Sequence, residues 1–167
     1  MRELVRKNIG RRLAEYYAQP PNAVVGTSAG TESTRLSSSL GEWHWRRLLD
    51  RFYKERQGHW LTPVELFQPH FSHILGDFCL SAVDASMEGN GRRLEIVELG
   101  GGRGTNARHI LSYIQQMRPE IYDGLTYTLV DSSPSLHQLQ KDVFADTVHT
   151  NRVGFRHMDL MDVAERR

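Results

Sequence analysis

The feature that most restricts how this chain can fold is a glycine loop set between a strand pattern and a helix pattern. Residues 97–105 read Val97-Glu98-Leu99-Gly100-Gly101-Gly102-Arg103-Gly104-Thr105. Residues 94–99 ahead of the loop form a short strand-like run. Behind it, Ala107, Ile110, Leu111, Ile114 and Met117 recur at helical spacing until Pro119 stops them. Glycines in such a loop permit φ above zero and let a ligand approach the backbone. The helix start behind them offers free N–H groups to a carboxylate or phosphate. A second strand is expected over residues 126–130. A helix starting at Ser132-Ser133-Pro134 follows, with a serine cap and proline at the first helical position. A third strand is expected over residues 153–158. The order β-α-β-α-β predicts an α/β fold with a parallel sheet and right-handed crossovers.

Three ligand classes use a loop of this kind. A P-loop requires lysine and then Ser or Thr after its last glycine, and Gly104 is followed directly by Thr105. Nucleotide triphosphate binding through that motif is excluded. Gly102, Gly104 and Ala107 satisfy the dinucleotide pattern G-x-G-x-x-G/A, so that reading stays open. A nucleoside such as S-adenosylmethionine has no pyrophosphate; it presents a cation, a ribose diol and an adenine. Acids at strand ends suit that cation and that diol. Glu98, Asp131 and Asp159 stand at the carboxyl ends of the three strands, the edge where open α/β sheets bind ligands. Asp131 can accept both ribose hydroxyls, and Asp159 or the Leu160 amide can reach an adenine edge. Strand-end acids also cap helices. Three of them in register with a glycine loop favour a ligand.

The rest of the chain divides by composition. Residues 1–18 form a basic amphipathic segment with Arg2, Arg6, Lys7, Arg11 and Arg12, the composition of a mitochondrial transit peptide or of a surface helix. Residues 19–41 are rich in Pro, Gly, Ser and Thr and are expected to be a disordered linker. Residues 42–91 read as a helical pre-domain: Trp45, Leu48, Leu49 and Phe52 mark one helix, and Thr62-Pro63-Val64-Glu65 is a capping box opening another. Residues 92–167 hold the three strands. Residues 1–60 carry 11 Lys and Arg against 6 Asp and Glu, whereas residues 61–167 carry 10 against 14. The net charge of +1 excludes a strongly basic nucleic-acid binder. No apolar run is long enough to span a bilayer. The single Cys79 excludes an intrachain disulfide framework and a cysteine-based zinc site. His70, His73 and Asp77 could share one helix face, but no further His pair or Cys supports them, and no metal is expected.

The loop Glu98–Thr105 resembles the E-x-G-x-G-x-G-T loop of class I S-adenosylmethionine-dependent methyltransferases. Leu129-Val130-Asp131-Ser132-Ser133-Pro134-Ser135-Leu136, followed by Gln140, is similar to the L-V-E-x-S-P-x-L…Q segment of the MidA branch, mitochondrial protein-arginine methyltransferases that assist respiratory complex I assembly. Thr62-Pro63-Val64-Glu65 is similar to the T-A-P-E segment of that branch. The branch commonly has Glu where Asp131 stands, and Gly58-His59-Trp60 replaces its glycine-aspartate segment. The resemblance covers roughly residues 58–163. It implies a partial Rossmann-like class I methyltransferase sheet of three parallel strands, preceded by a helical region. It also implies S-adenosyl-L-methionine as cofactor, a mitochondrial location, and a protein substrate: an arginine in a respiratory complex I subunit. The expected cofactor-binding residues are Glu98, Gly100, Gly102, Gly104, Thr105, Asp131, Ser132, Asp159 and Leu160. The carboxylate that orients the guanidinium is expected beyond Arg167, so the chain is read as part of a longer protein, inactive by itself. The alternatives are a non-catalytic binding module that keeps the cofactor loop, and a fragment of a nicotinamide-dependent oxidoreductase.

Overall fold

The computed structural model describes residues 8, 11, 12, 15–20, 39–55, 61–86 and 93–158. Helix α1 (Glu42–Glu55) precedes a short helix α2 (Pro63–Leu66) and a long helix α3 (His70–Ser86). Strand β1 (Glu95–Leu99), helices α4 (Thr105–Met117) and α5 (Pro119–Tyr122), strand β2 (Thr126–Asp131), helix α6 (Pro134–Ala145), a 3-10 turn (Thr150–Arg152) and strand β3 (Val153–His157) follow. Prolines set several of these boundaries. Pro63, Pro119 and Pro134 each open a helix at its first turn, where the missing N–H costs nothing. Thr62 and Ser133 cap their helices through side-chain oxygens that accept from Glu65 N–H and Leu136 N–H. The Gln68–Pro69 peptide between α2 and α3 is cis.

The sheet is parallel, in the order β1-β2-β3. The three-stranded α/β architecture with helices ahead of it is the expected one. The register aligns Ile96 with Tyr127 and Tyr127 with Val153, and it aligns Glu98 with Leu129 and Leu129 with Phe155. Those side chains share one face, because residues paired across a ladder point the same way. Two right-handed crossovers that step in one direction along a sheet place both helices on that same face. Accordingly Ile110, Leu111 and Ile114 of α4 and Phe144 of α6 form one core with Tyr127 and Leu129. Leu75, Leu80 and Cys79 bring α3 against the outside of that layer. Burial raises the pKa of the Cys79 thiol. The opposite face of β1 is open: Val97 is 61% exposed and Leu99 is 52% exposed.

Residues 15–20 also touch the α/β unit, although residues 19–41 are expected to be a linker. The Ser133 hydroxyl donates to the Tyr17 carbonyl at 2.7 Å, and the Ser135 hydroxyl donates to the Gln19 carbonyl at 2.7 Å. Tyr17 packs on Leu136. Residues 21–38 lie outside the described residues. In α1, Trp45, Leu48 and Leu49 are half-buried, whereas Phe52 falls outside what is described. Among the described residues no helix is long and apolar enough to cross a membrane.

Candidate cofactor site

The site grows from the way β1 ends. The Gly100 N–H donates to the Val130 carbonyl at 2.8 Å, so the chain leaves β1 still tied to β2. It then turns through Gly100, Gly102 and Gly104, which have φ of 71°, 54° and 81°. A side chain is strained there. The four glycines nevertheless do two different jobs. Among the described residues, a Cβ added at Gly100 or Gly102 would meet nothing within 4 Å, so the described part of the chain leaves their backbone open. A Cβ at Gly101 would run into the Leu129 side chain, and one at Gly104 would stand 3.1 Å from Phe144. Gly101 and Gly104 press the loop onto the core; Gly100 and Gly102 leave its outer side approachable. Gly104 is also the N-cap of α4 and supplies no capping side chain, so the first-turn N–H groups remain for a ligand.

Glu98 is committed to the loop's support. Its Oε1 accepts from Asn106 Nδ2 at 2.8 Å and its Oε2 accepts from the Tyr127 hydroxyl at 2.9 Å. Burial raises the Glu98 pKa, the two hydrogen bonds oppose that rise, and nearby Asp131 adds to it. The Tyr127 pKa is raised by burial and by Glu98. Thr105 is committed as well. Its hydroxyl donates to Glu65 Oε1 at 2.5 Å, and Glu65 is only 3% exposed. In a capping box the Glu side chain reaches back to its own helix start; here it crosses to α4, forty residues on. His109 and Gln68 repeat the link one turn later, at 3.1 Å.

Asp131 ends β2 beside the loop and is 4% exposed. Its Oδ1 accepts from the Ser133 N–H at 2.9 Å and its Oδ2 accepts from Gln140 Nε2 at 3.2 Å. A carboxylate has about four acceptor positions, so each oxygen keeps capacity for a ribose hydroxyl. The Ser132 carbonyl faces His157 Nε2 at 3.1 Å, which ties the end of β2 to the end of β3. Asp159 and Leu160 lie outside the described residues. Among the expected site residues, the structure thus gathers Glu98, the three glycines, Thr105, Asp131 and Ser132 at one sheet edge.

Asn106, Tyr127, Glu65 and Gln140 complete this edge. The family segments contained Gln140 and Glu65 without giving either a role at the loop; for Asn106 and Tyr127 no local signal exists, because their partner Glu98 is 8 and 29 residues away. Two buried acceptors, Asn106 Oδ1 and Gln140 Oε1, have no partner among the described residues. Of the two strand-end acids, Asp131 is the one that keeps acceptor capacity, which suits a ligand with a ribose diol. The His70, His73 and Asp77 face is otherwise engaged. His73 stacks on Tyr113 with ring centres 4.6 Å apart, and Asp77 accepts from the Tyr113 hydroxyl at 2.5 Å. Among the described residues no three His, Cys, Asp or Glu side chains converge.

A parallel sheet with a left-handed glycine loop after β1 and an acid at the end of β2 defines a nucleoside-binding α/β domain. The model of a family described as "Putative S-adenosyl-L-methionine-dependent methyltransferase" matches residues 74–166, more than half of the chain. The chain belongs to that family, whose cofactor is S-adenosyl-L-methionine. It is also 35% identical over 86 residues to "Protein arginine methyltransferase NDUFAF7, mitochondrial" of Danio rerio. The matched stretch is 51% of this chain and 20% of the relative, so the chain spans about one fifth of that protein's length.

Proposed function

We propose that this chain supplies the cofactor-binding edge of a mitochondrial protein-arginine methyltransferase. The observation that carries the reading is the pairing of a loop open above Gly100 and Gly102 with the Asp131 carboxylate on the neighbouring strand. When bound, the cofactor supplies an electrophilic methyl group on a sulfonium. The residues of this chain bind and orient. Glycine backbone at 100 and 102 admits the ligand closely. The first turn of α4 offers N–H groups to the amino-acid carboxylate, and Asp131 accepts the ribose hydroxyls. Glu98 and Glu65 hold the loop from behind through Asn106, Tyr127 and Thr105. Ser132, Asp159 and Leu160 are assigned to the nucleoside end by their position after β2 and β3. Arginine keeps its proton near neutral pH, so transfer further needs a carboxylate to orient the guanidinium.

The relative's name supports arginine as the methyl acceptor and mitochondria as the location. The family resemblance extends the target to a subunit of respiratory complex I. Binding is tested by calorimetry with S-adenosylhomocysteine and with NAD. S-adenosylhomocysteine should bind, and Asp131→Ala should weaken it by about 1.5–3 kcal/mol, the range for hydrogen bonds to a charged group. Tight NAD binding with no response to S-adenosylhomocysteine sinks the reading. Transfer is tested with a radiolabelled methyl group on the longer relative; label on lysine or nucleic acid in place of arginine rejects the acceptor. Residues 1–41 fused to a fluorescent reporter should reach mitochondria, and a diffuse cytosolic signal would count against the basic segment as a targeting sequence.

A further inference from the structure

Gln140 lies on α6, outside the loop and outside both strand ends, yet it is 0% exposed and touches both halves of the site. Its Nε2 donates to the Gly102 carbonyl at 2.8 Å and to Asp131 Oδ2 at 3.2 Å. The orientation of the carboxamide is dictated by chemistry: both neighbours are acceptors, and only the NH2 end can face two acceptors. Its stem fills the space under the loop, with Cγ 3.7 Å from where a Gly104 Cβ would stand. The other Asp131 oxygen accepts at 2.9 Å from the N–H of Ser133, the residue that caps this helix. Both carboxylate oxygens are therefore oriented by α6 and its cap, and one of the two ties also grips the glycine loop.

We propose that Gln140 is a positioning residue of the cofactor site: its single NH2 group locks the Gly102 backbone and the Asp131 carboxylate in one fixed relation. The loop belongs to the end of β1 and the acid to the end of β2. No other described side chain bonds to both Gly102 and Asp131. Without Gln140 each half keeps its own fold, but the amino-acid end and the ribose end of a ligand no longer meet a single preformed surface. The ligand then has to order the loop as it binds, which lowers affinity.

The inference rests on the cofactor reading, and its test separates the two. Gln140→Met keeps length and removes both donors. Gln140→Glu keeps shape and sets a second carboxylate against Asp131. Both full-length variants are compared with the natural chain by amide hydrogen exchange without ligand and by S-adenosylhomocysteine titration at pH 8 and pH 5.5. Gln140→Met should speed exchange at the amides of residues 100–104 and weaken S-adenosylhomocysteine about tenfold at both pH values. Gln140→Glu should bind worse than Gln140→Met at pH 8, because two carboxylates repel. It should recover at pH 5.5, because the introduced carboxyl takes up a proton beside a second carboxylate and can then donate to it. A role in packing alone would shift the melting temperature of both variants and leave loop exchange and the pH dependence of binding like those of the natural chain; that result overturns the proposal. If the natural chain does not bind S-adenosylhomocysteine, the cofactor reading fails by itself. Loop exchange then decides whether Gln140 positions the loop: faster exchange in Gln140→Met supports it, and unchanged exchange overturns it.

Discussion

At Gly101 a methyl group would collide with the Leu129 side chain, which is fully buried in the middle strand. The loop therefore rests on the core at that residue, and its height over the sheet is set by van der Waals contact. Gly101→Ala should destabilise the chain by about 1–3 kcal/mol, the cost of overpacking a well-filled core. Leu129→Ala opens room at the same spot. If contact with Leu129 is the cause, the double substitution will cost less than the sum of the two single ones, measured by urea denaturation. Strict additivity would show that the damage at residue 101 does not come from contact with Leu129. Gly100 and Gly102 differ in kind: no described residue crowds them, and their φ values of 71° and 54° are what demand glycine.

Between elements, the link from α2 to α4 carries both the site and an acid sensitivity. Glu65 meets Thr105 on the first turn of α4, and Gln68 meets His109 on the second. Burial pushes the His109 pKa down from 6.5 to about 4, with smaller effects from Arg108 and His73. The neutral ring donates from Nε2 to the Gln68 side-chain oxygen Oε1. Because its folded pKa is depressed, His109 binds a proton more readily in the unfolded chain. Its contribution to stability is fully present above about pH 6.5 and is lost as pH falls towards about 4. His137 and His149 are shifted in the same direction by burial. Stability measured by denaturation should fall over that window, and His109→Gln should remove part of the fall. An identical pH profile in the variant would mean that the ring is not held neutral against α2. The capping pattern of residues 62–65 made the start of α2 legible in the sequence, and Thr62 does cap it. The use of Glu65 was not legible, because its partner is forty residues away and no periodicity connects them.

For the whole molecule, the sheet is covered unequally. Parallel strands in doubly wound folds are usually buried on both faces. Here β2 approaches that state, with Leu129, Val130 and Asp131 all buried, whereas the outer face of β1 exposes Val97 and Leu99. Ile74 and Phe78 of α3 are 68% and 72% exposed. An apolar strand with an open face is a site for association with another chain. The purified chain should therefore self-associate in light scattering as concentration rises. The pair Val97→Lys and Leu99→Lys should reduce that association and cost no more than about 1 kcal/mol of stability, the sum of the usual limits for two exposed positions. Association unchanged by the pair would place the contact elsewhere.

What the sequence determined by itself is local. A strand, a glycine loop and a helix follow from side-chain period and from glycine's freedom at positive φ, and both act within a few residues. Proline and serine placed the starts of α2 and α6 for the same reason. The chain order of these elements, with the rule of right-handed crossovers, was enough for a three-stranded parallel sheet and for Glu98 and Asp131 at its carboxyl edge. Only the tertiary structure decided what those acids do there. Glu98 spends both oxygens on Asn106 and Tyr127, and Asp131 is oriented by Ser133 and Gln140. It also decided that Tyr17 and Gln19, more than a hundred residues upstream, lie against the start of α6. Such pairings depend on how close two backbones come once the core has packed, and a one-dimensional pattern contains no term for that distance.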